Sequence, residues 1–173
     1  MAAIEVRARL GEATGTVIWR GKTYACALGP AGIMANKREG DRATPAGTFP
    51  LRRVLYRADR IGRPETPLET RVIECHDGWC DAPGDPAYNR PVTLPYPASA
   101  EQMWREDGLY DVVVVLGHND DPVVPGAGSA VFLHCAKPDY APTEGCVALA
   151  KADLLEVLKE AGPGDEIRID IDA

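Results

Sequence analysis

The 173-residue chain has the length of one domain; its 45% hydrophobic content excludes a disordered chain, and 17 Gly with 15 Pro predict many turns and short strands rather than long bundles. A formal net charge of −7, from 26 acidic and 19 basic residues, argues against nucleic acid as a partner, because neutralising phosphates needs a basic face. The longest aliphatic run, Val112 to Leu116, is far short of the roughly 20 residues of a spanning helix, so no transmembrane segment is expected.

Ile4 to Leu10 alternates apolar and charged residues as a half-buried strand does, and it contains no secretory hydrophobic region, so the protein is expected to be cytosolic or to have its export signal outside this chain. Thr14 to Trp19 and Thr23 to Leu28 flank Arg20-Gly21-Lys22 and read as a hairpin. Gly29 to Ala46 is rich in Gly, Pro and charge, a long loop of the kind that often carries function, and it leads into a strand through Gly47-Thr48-Phe49. Val54 to Tyr56 and Arg71 to Cys75 read as short strands. Asp77 to Pro97 carries so many prolines and glycines that no regular element of any length is expected there. Ser99-Ala100-Glu101-Gln102 has capping-box spacing and predicts a short helix to about Glu106.

Asp111 to Leu116 and Ala130 to Leu133 are continuous, β-branched-rich runs, the pattern of strands covered on both faces. Lys151 to Glu160 places Leu154, Leu155 and Leu158 on one helical face, and Glu166 to Asp170 alternates as a closing strand. One β-dominated domain over residues 1–173, with short helices, is the reading. Residues 1–70 hold 12 Lys and Arg against 7 Asp and Glu, and the remainder is acidic, so the surface is expected to be dipolar.

Five cysteines, Cys26, Cys75, Cys80, Cys135 and Cys146, are too few for a disulfide scaffold and odd in number, so a monomer keeps at least one free thiol. His118 and His134 follow the two strong strands, and Thr143-Glu144-Gly145-Cys146 comes shortly after His134 at the start of the last helical region. A Cys beside a His makes the nucleophile and base of thiol acyl transfer, since an adjacent imidazole can lower a thiol from about 8.5 to roughly 3.5–7.5 and leave it mostly thiolate. Gly145 permits a sharp turn, so the Gly145 and Cys146 amides are candidate oxyanion donors. A buried structural Cys beside a rim His is the alternative. Cys75, His76 and Cys80 offer soft zinc ligands without a matching second pair; a Cys75–Cys80 disulfide or two reduced thiols are the other options.

The string Gly128-Ser129-Ala130-Val131-Phe132-Leu133-His134, followed by Thr143-Glu144-Gly145-Cys146-Val147, resembles the catalytic signature of the YkuD-type L,D-transpeptidases, a His after a strand and then Ser/Thr-His-Gly-Cys-aliphatic. Thr44-Pro45-Ala46-Gly47-Thr48-Phe49 resembles the same family's Thr-Pro-x-Gly-x-Phe segment. The resemblance implies a β-sandwich-like catalytic domain with a C-terminal helix and closing strand, Cys146 as nucleophile, His134 as base oriented by a backbone carbonyl near Cys135, no metal or other cofactor, and peptidoglycan stem peptides as partners in the periplasm. His118, Asp120 and Asp139 are the other candidates to orient His134.

Two departures stand out. Glu144 replaces the usual His, and Ala148 stands where an Arg commonly follows the Cys-aliphatic pair. Donor carboxylates must therefore find cations at Lys37, Arg38 or Arg42, and Glu144 favours an acceptor ammonium; His118, Glu144 and Arg42 are the candidate substrate-binding residues. The expected activity is crosslinking, with a link from first-position L-alanine to third-position diaminopimelate favoured over one between two third positions. An L,D-carboxypeptidase, a non-catalytic wall-binding module and a zinc domain are the alternatives, and a monomer is expected.

Overall fold

The computed structural model describes residues 1–172, among which fourteen strands and one helix form. Alternating residues give β1 (Ala3–Ala8), and the hairpin of β2 (Thr14–Trp19) and β3 (Lys22–Ala27) closes through Arg20 and Gly21, both at positive φ as a two-residue primed turn requires. The long loop after it holds β4 (Ile33–Met34) and β5 (Thr44–Pro45), a small parallel pair, and feeds the ten-residue β6 (Gly47–Tyr56). Then come β7 (Thr70–Val72), β8 (Asp77–Cys80), β9 (Pro91–Thr93), β10 (Ala100–Gln102), β11 (Val112–Leu116), β12 (Phe132–Cys135), β13 (Val147–Leu149), α1 (Lys151–Leu158) and β14 (Glu166–Ile171).

The main sheet runs β11-β12-β13-β3-β2-β1-β14-β6-β7. Strand β6 pairs with β14 through its first residues and with β11 through the rest, so the ladder returns on itself and β7 stands outside the ring. Side chains alternate across each strand. One set, including Ile4, Val6, Val17, Val114, Leu133, Val147 and Ile167, fills the interior together with Leu154, Val157 and Leu158 of α1. Each such fully buried aliphatic contributes about 1.5–3 kcal/mol. The opposite set, Val113, Val115 and Phe132, forms a second cluster with Ile73, Trp79, Met103 and Tyr110. The small sheet β10-β8-β9 contributes Trp79 to that outer cluster, with Met103 just beyond β10. The β-rich fold with one C-terminal helix and a closing strand agrees with the expected class.

Four local expectations are corrected. Ser99 to Glu106 is not a helix: Ala100–Gln102 pairs with β8, and Asp81 N–H donates to Ser99 O at 3.1 Å, so pairing with a distant strand satisfies the backbone that a capping box would have served. The 77–97 stretch does hold regular structure, in strands of four and three residues short enough to fit between prolines, with Pro91 at the start of one. Ala130 lies at φ +52°, its N–H bonded to Asn89 Oδ1 at 3.0 Å, which delays β12 to Phe132 and puts His134 within the strand rather than after it. Cys146 immediately precedes a strand, β13, rather than a helix.

Candidate active site

Strands β12 and β13 are parallel neighbours with Leu133 opposite Val147 and His134 opposite Ala148. Alternation sends Leu133, Cys135, Val147 and Leu149 inward and Phe132, His134 and Ala148 outward, and Cys146 continues the outward row. His134 and Cys146 therefore stand diagonally across adjacent strands on one face. The Phe132 N–H donates to Cys146 Sγ at 3.3 Å, and the thiol donates to Ala130 O at 3.2 Å.

Cys146 is set by a tight elbow. Thr143 N–H donates to Leu28 O at 2.9 Å, Thr143 Oγ1 accepts the Gly145 N–H at 3.0 Å, and the same hydroxyl donates to Cys146 O at 2.7 Å. Gly145 lies at φ +137°, and a Cβ there would stand 2.7 Å from Ala43 O, so both conformation and space require glycine. The Gly145 N–H, an expected oxyanion donor, is thus engaged by Thr143, whereas the Cys146 amide sits at the turn itself.

His134 Nδ1 lies 2.9 Å from Cys135 O. A carbonyl only accepts, so Nδ1 carries the proton and Nε2 is the basic nitrogen. The orienting group is the backbone carbonyl. Asp120 is instead held by Arg52 through two bonds at 2.9 Å, and Asp139 accepts the Ala141 N–H. Tyr110 packs edge-on against the imidazole with centroids 5.3 Å apart.

Cys146 and His134 are only 8% and 5% exposed, and this decides their resting charge. Burial, reinforced by Glu101, pushes the Cys146 thiol up to about 12. Burial likewise pulls His134 down to about 4. The pair rests as neutral thiol and neutral imidazole, not the standing thiolate expected from adjacency alone. A thiol in this state becomes a nucleophile only when a base removes its proton.

Both side chains open into a cleft of about 390 Å³ that also receives Glu144, Arg42, Lys37, Glu101, Arg105 and Tyr110. Glu144 and Arg42 are exposed at its rim. Lys37, only 9% exposed along its side chain, pairs with Asp41 and runs beside Gly128 and Gly145. Burial pushes the Asp41 carboxyl up, yet Lys37 and the Ala43 and Arg38 amides hold it below the usual carboxylate range. His118 does not line this cleft: it sits behind Lys37, edge-on to Phe49 at 5.2 Å, and burial, followed by the charge of Lys37, lowers it to about 4. Trp79 is core, edge-on to Phe132 at 5.0 Å.

Sequence reasoning missed Glu101, Tyr110 and Arg105. Tyr110 Oη donates to Glu101, and Arg105 grips Asp107, with Nη2–Oδ2 at 2.5 Å, while its Nη1 lies 3.9 Å from Glu101. Glu101 lies inside the Ser99-to-Gln102 string that reads locally as a helix start, so its link to residues 110 and 146 carries no local signal. All five cysteines are free thiols; exposed Cys75 contacts His76 Nε2 at 3.3 Å, whereas buried Cys80 turns to Asp85. Among the described residues, no three His, Cys, Asp or Glu side chains form a metal-ligand group.

A family model of the YkuD L,D-transpeptidase catalytic domain matches residues 7–169. The chain belongs to that family. The match spans nearly the whole described fold and includes both motifs and every residue of the cleft named above. No curated protein and no solved structure matches the chain. YkuD membership brings an L,D-transpeptidase type of activity and peptidoglycan as the substrate class.

Proposed function

We propose that the protein is a cysteine-dependent L,D-transpeptidase that crosslinks peptidoglycan stems through an acyl-enzyme on Cys146. The observation that carries this reading is the diagonal placement of Cys146 and His134 on one sheet face, both opening into the same cleft. His134 Nε2 takes the thiol proton as Sγ attacks the amide after the diamino acid of a donor stem. The same imidazole returns the proton to the departing D-alanine amine, and the acyl group stays on sulfur. The oxyanion falls to the Cys146 amide, because the Gly145 N–H bonds to Thr143 Oγ1, with the Lys37 ammonium beside the same turn. In this reading Arg42, at the rim of the cleft, binds a donor carboxylate, and Glu144, also at the rim, attracts the ammonium of an acceptor. Peptidoglycan lies outside the cytoplasmic membrane, so the place of action is the periplasm.

Purified protein incubated with sugar-free tetrapeptides, whose L-alanine carries a free α-amine beside the side-chain amine of the diaminopimelate, tests the reading. Release of D-alanine together with crosslinked dimers is expected, absent in Cys146→Ala, and sequencing should find first-position L-alanine joined to third-position diaminopimelate. Tripeptide monomers without dimers would make the enzyme an L,D-carboxypeptidase. Dimers joined only through two diaminopimelates would overturn the linkage and leave the Cys146 chemistry standing.

A further inference from the structure

A carboxylate faces the nucleophile, and it works against the first half of the reaction. Glu101 is the second cause, after burial, of the high Cys146 pKa, so its charge hinders thiolate formation and acylation. It is held there deliberately: β10 presents it, Tyr110 Oη donates to it, and the side chain is 23% exposed in a position that lines the cleft. The nearby cation does not neutralise it fully, because Arg105 spends its Nε and Nη2 on Asp107 and leaves only Nη1, 3.9 Å away. A carboxylate in this position can serve as a base for water or for an amine, but a step that begins with a cation and ends with a neutral nucleophile draws on it twice, for charge attraction and for proton removal.

We infer that Glu101 receives the incoming acceptor ammonium in the cleft and takes a proton from it, an assignment that rests on the transpeptidase reading above. The ammonium R–NH3⁺ gives one proton to the Glu101 carboxylate, and the resulting R–NH2 attacks the Cys146 thioester carbonyl. The new C–N bond forms and the C–S bond breaks. The second proton on nitrogen passes through His134 Nε2 to the leaving sulfur, so the amide keeps one hydrogen and Cys146 regains its thiol. Glu101 then loses its proton to solvent. The charged and titratable groups acting on Glu101 are Tyr110, Arg105, Glu144 and Asp81, and Glu101 in turn acts on Cys146. Burial outweighs Tyr110 and Arg105 and lifts its carboxyl to about 7, close to the 7.7–8.0 of an α-ammonium, which suits transfer between the two near neutral pH. Glu144, at the rim, adds attraction for the same cation before it enters.

The test is a partition experiment on one acyl-enzyme. Wild type and Glu101→Gln are given the same tetrapeptide donor with a peptide bearing a free α-amine as acceptor, from pH 5.5 to 9. D-alanine release reads acylation; the ratio of amide to hydrolysed tripeptide reads the fate of the thioester. In Glu101→Gln, acylation should be at least as fast, since a negative charge facing Sγ has gone, while the ratio falls tenfold or more at pH 7 and recovers at high pH where the amine is already neutral. Tyr110→Phe, which removes the donor that favours the carboxylate, should move the acid limb of the ratio to higher pH, and it carries the test if Glu101→Gln does not fold. An unchanged ratio and profile, or acylation falling in step with aminolysis, would overturn the assignment to Glu101. No D-alanine release by wild type would instead sink the transpeptidase reading itself.

Discussion

Cys26 and Cys146 are both buried thiols whose pKa burial raises to about 12. They also lie close in the same sheet, since Cys26 pairs with Leu149, three residues beyond Cys146. Yet Cys26 faces the sealed interior cluster, with a backbone hydrogen bond from Gly15 as the only effect opposing burial, whereas Cys146 faces the outer cluster and a cleft shared with an imidazole. Resting acidity therefore does not distinguish the proposed nucleophile from a structural thiol. What sets Cys146 apart is an approach path and a neighbouring imidazole with a fixed tautomer.

The comparison breaks most sharply under mutation. Cys146→Ala is expected to lower turnover by about 10⁴-fold or more, and His134→Ala by about 10²–10⁴-fold, because thiol and base act as a unit. Cys26→Ala should keep turnover and cost about 1 kcal/mol of stability, the typical effect of a point mutation. A carbapenem should leave one acyl adduct by mass, on Cys146. Adduct on Cys26, Cys75, Cys80 or Cys135 in its place would erase the distinction between the two faces.

The buried histidines extend the contrast to acid stability. His134 in the cleft and His118 behind it both have folded pKa values near 4, against an ordinary 6.5, so the unfolded chain takes up protons that the folded one refuses between those pH values. Their stabilising effect is complete above pH 6.5 and is lost as pH falls through 4. Glu101 acts oppositely: with its folded pKa near 7 rather than 4.5, the fold gains stability as pH drops through that window. Two imidazoles against one carboxyl leave a net loss of roughly 3 kcal/mol between pH 7 and 4. Urea midpoints across this range should fall with pH, and His118→Asn should remove a large share of the fall. A flat profile would mean that the buried rings are not held neutral.

A smaller effect is expected at the elbow that aims Cys146. Gly145→Ala forces a Cβ to within 2.7 Å of Ala43 O at φ +137°, at a cost of about 1–3 kcal/mol by thermal or chemical unfolding. Carbapenem adduct formation should slow with it. The same substitution at Gly84, where a Cβ meets nothing within 4 Å, should be nearly silent.

The sequence showed most clearly what strand alternation and β-branched runs encode: β1, the β2–β3 hairpin, β11, α1 and β14 stand close to where their patterns placed them. It hid β8 to β10, because strands of three or four residues between prolines leave no periodicity, and the local capping signal at Ser99 yields to pairing with β8. The Cys146 and His134 pair was visible from chain order and from the resemblance, but its ionisation was not, since that depends on how Phe132, Tyr110 and Glu101 close around it. The engagement of the Gly145 amide by Thr143 and the retreat of His118 behind Lys37 are likewise consequences of packing.

The smallest effect expected is that of removing metal, and it tests whether the exposed thiol belongs in the comparison. Every charge that develops along the proposed path meets a group of this chain: Nε2 for the thiol proton, the Cys146 amide and Lys37 for the oxyanion, and Arg42 for the donor carboxylate. The soft ligands that could have built a zinc site diverge, since Cys75 and His76 lie together at the surface while Cys80 is buried against Asp85. Exhaustive chelation should leave D-alanine release and dimer formation within error of the untreated protein, and metal analysis should find zinc well below one equivalent. Activity lost on chelation and restored by zinc would instead make Cys75 and His76 part of the working site, and the contrast between sealed Cys26 and open Cys146 would no longer be enough to identify where the chemistry occurs.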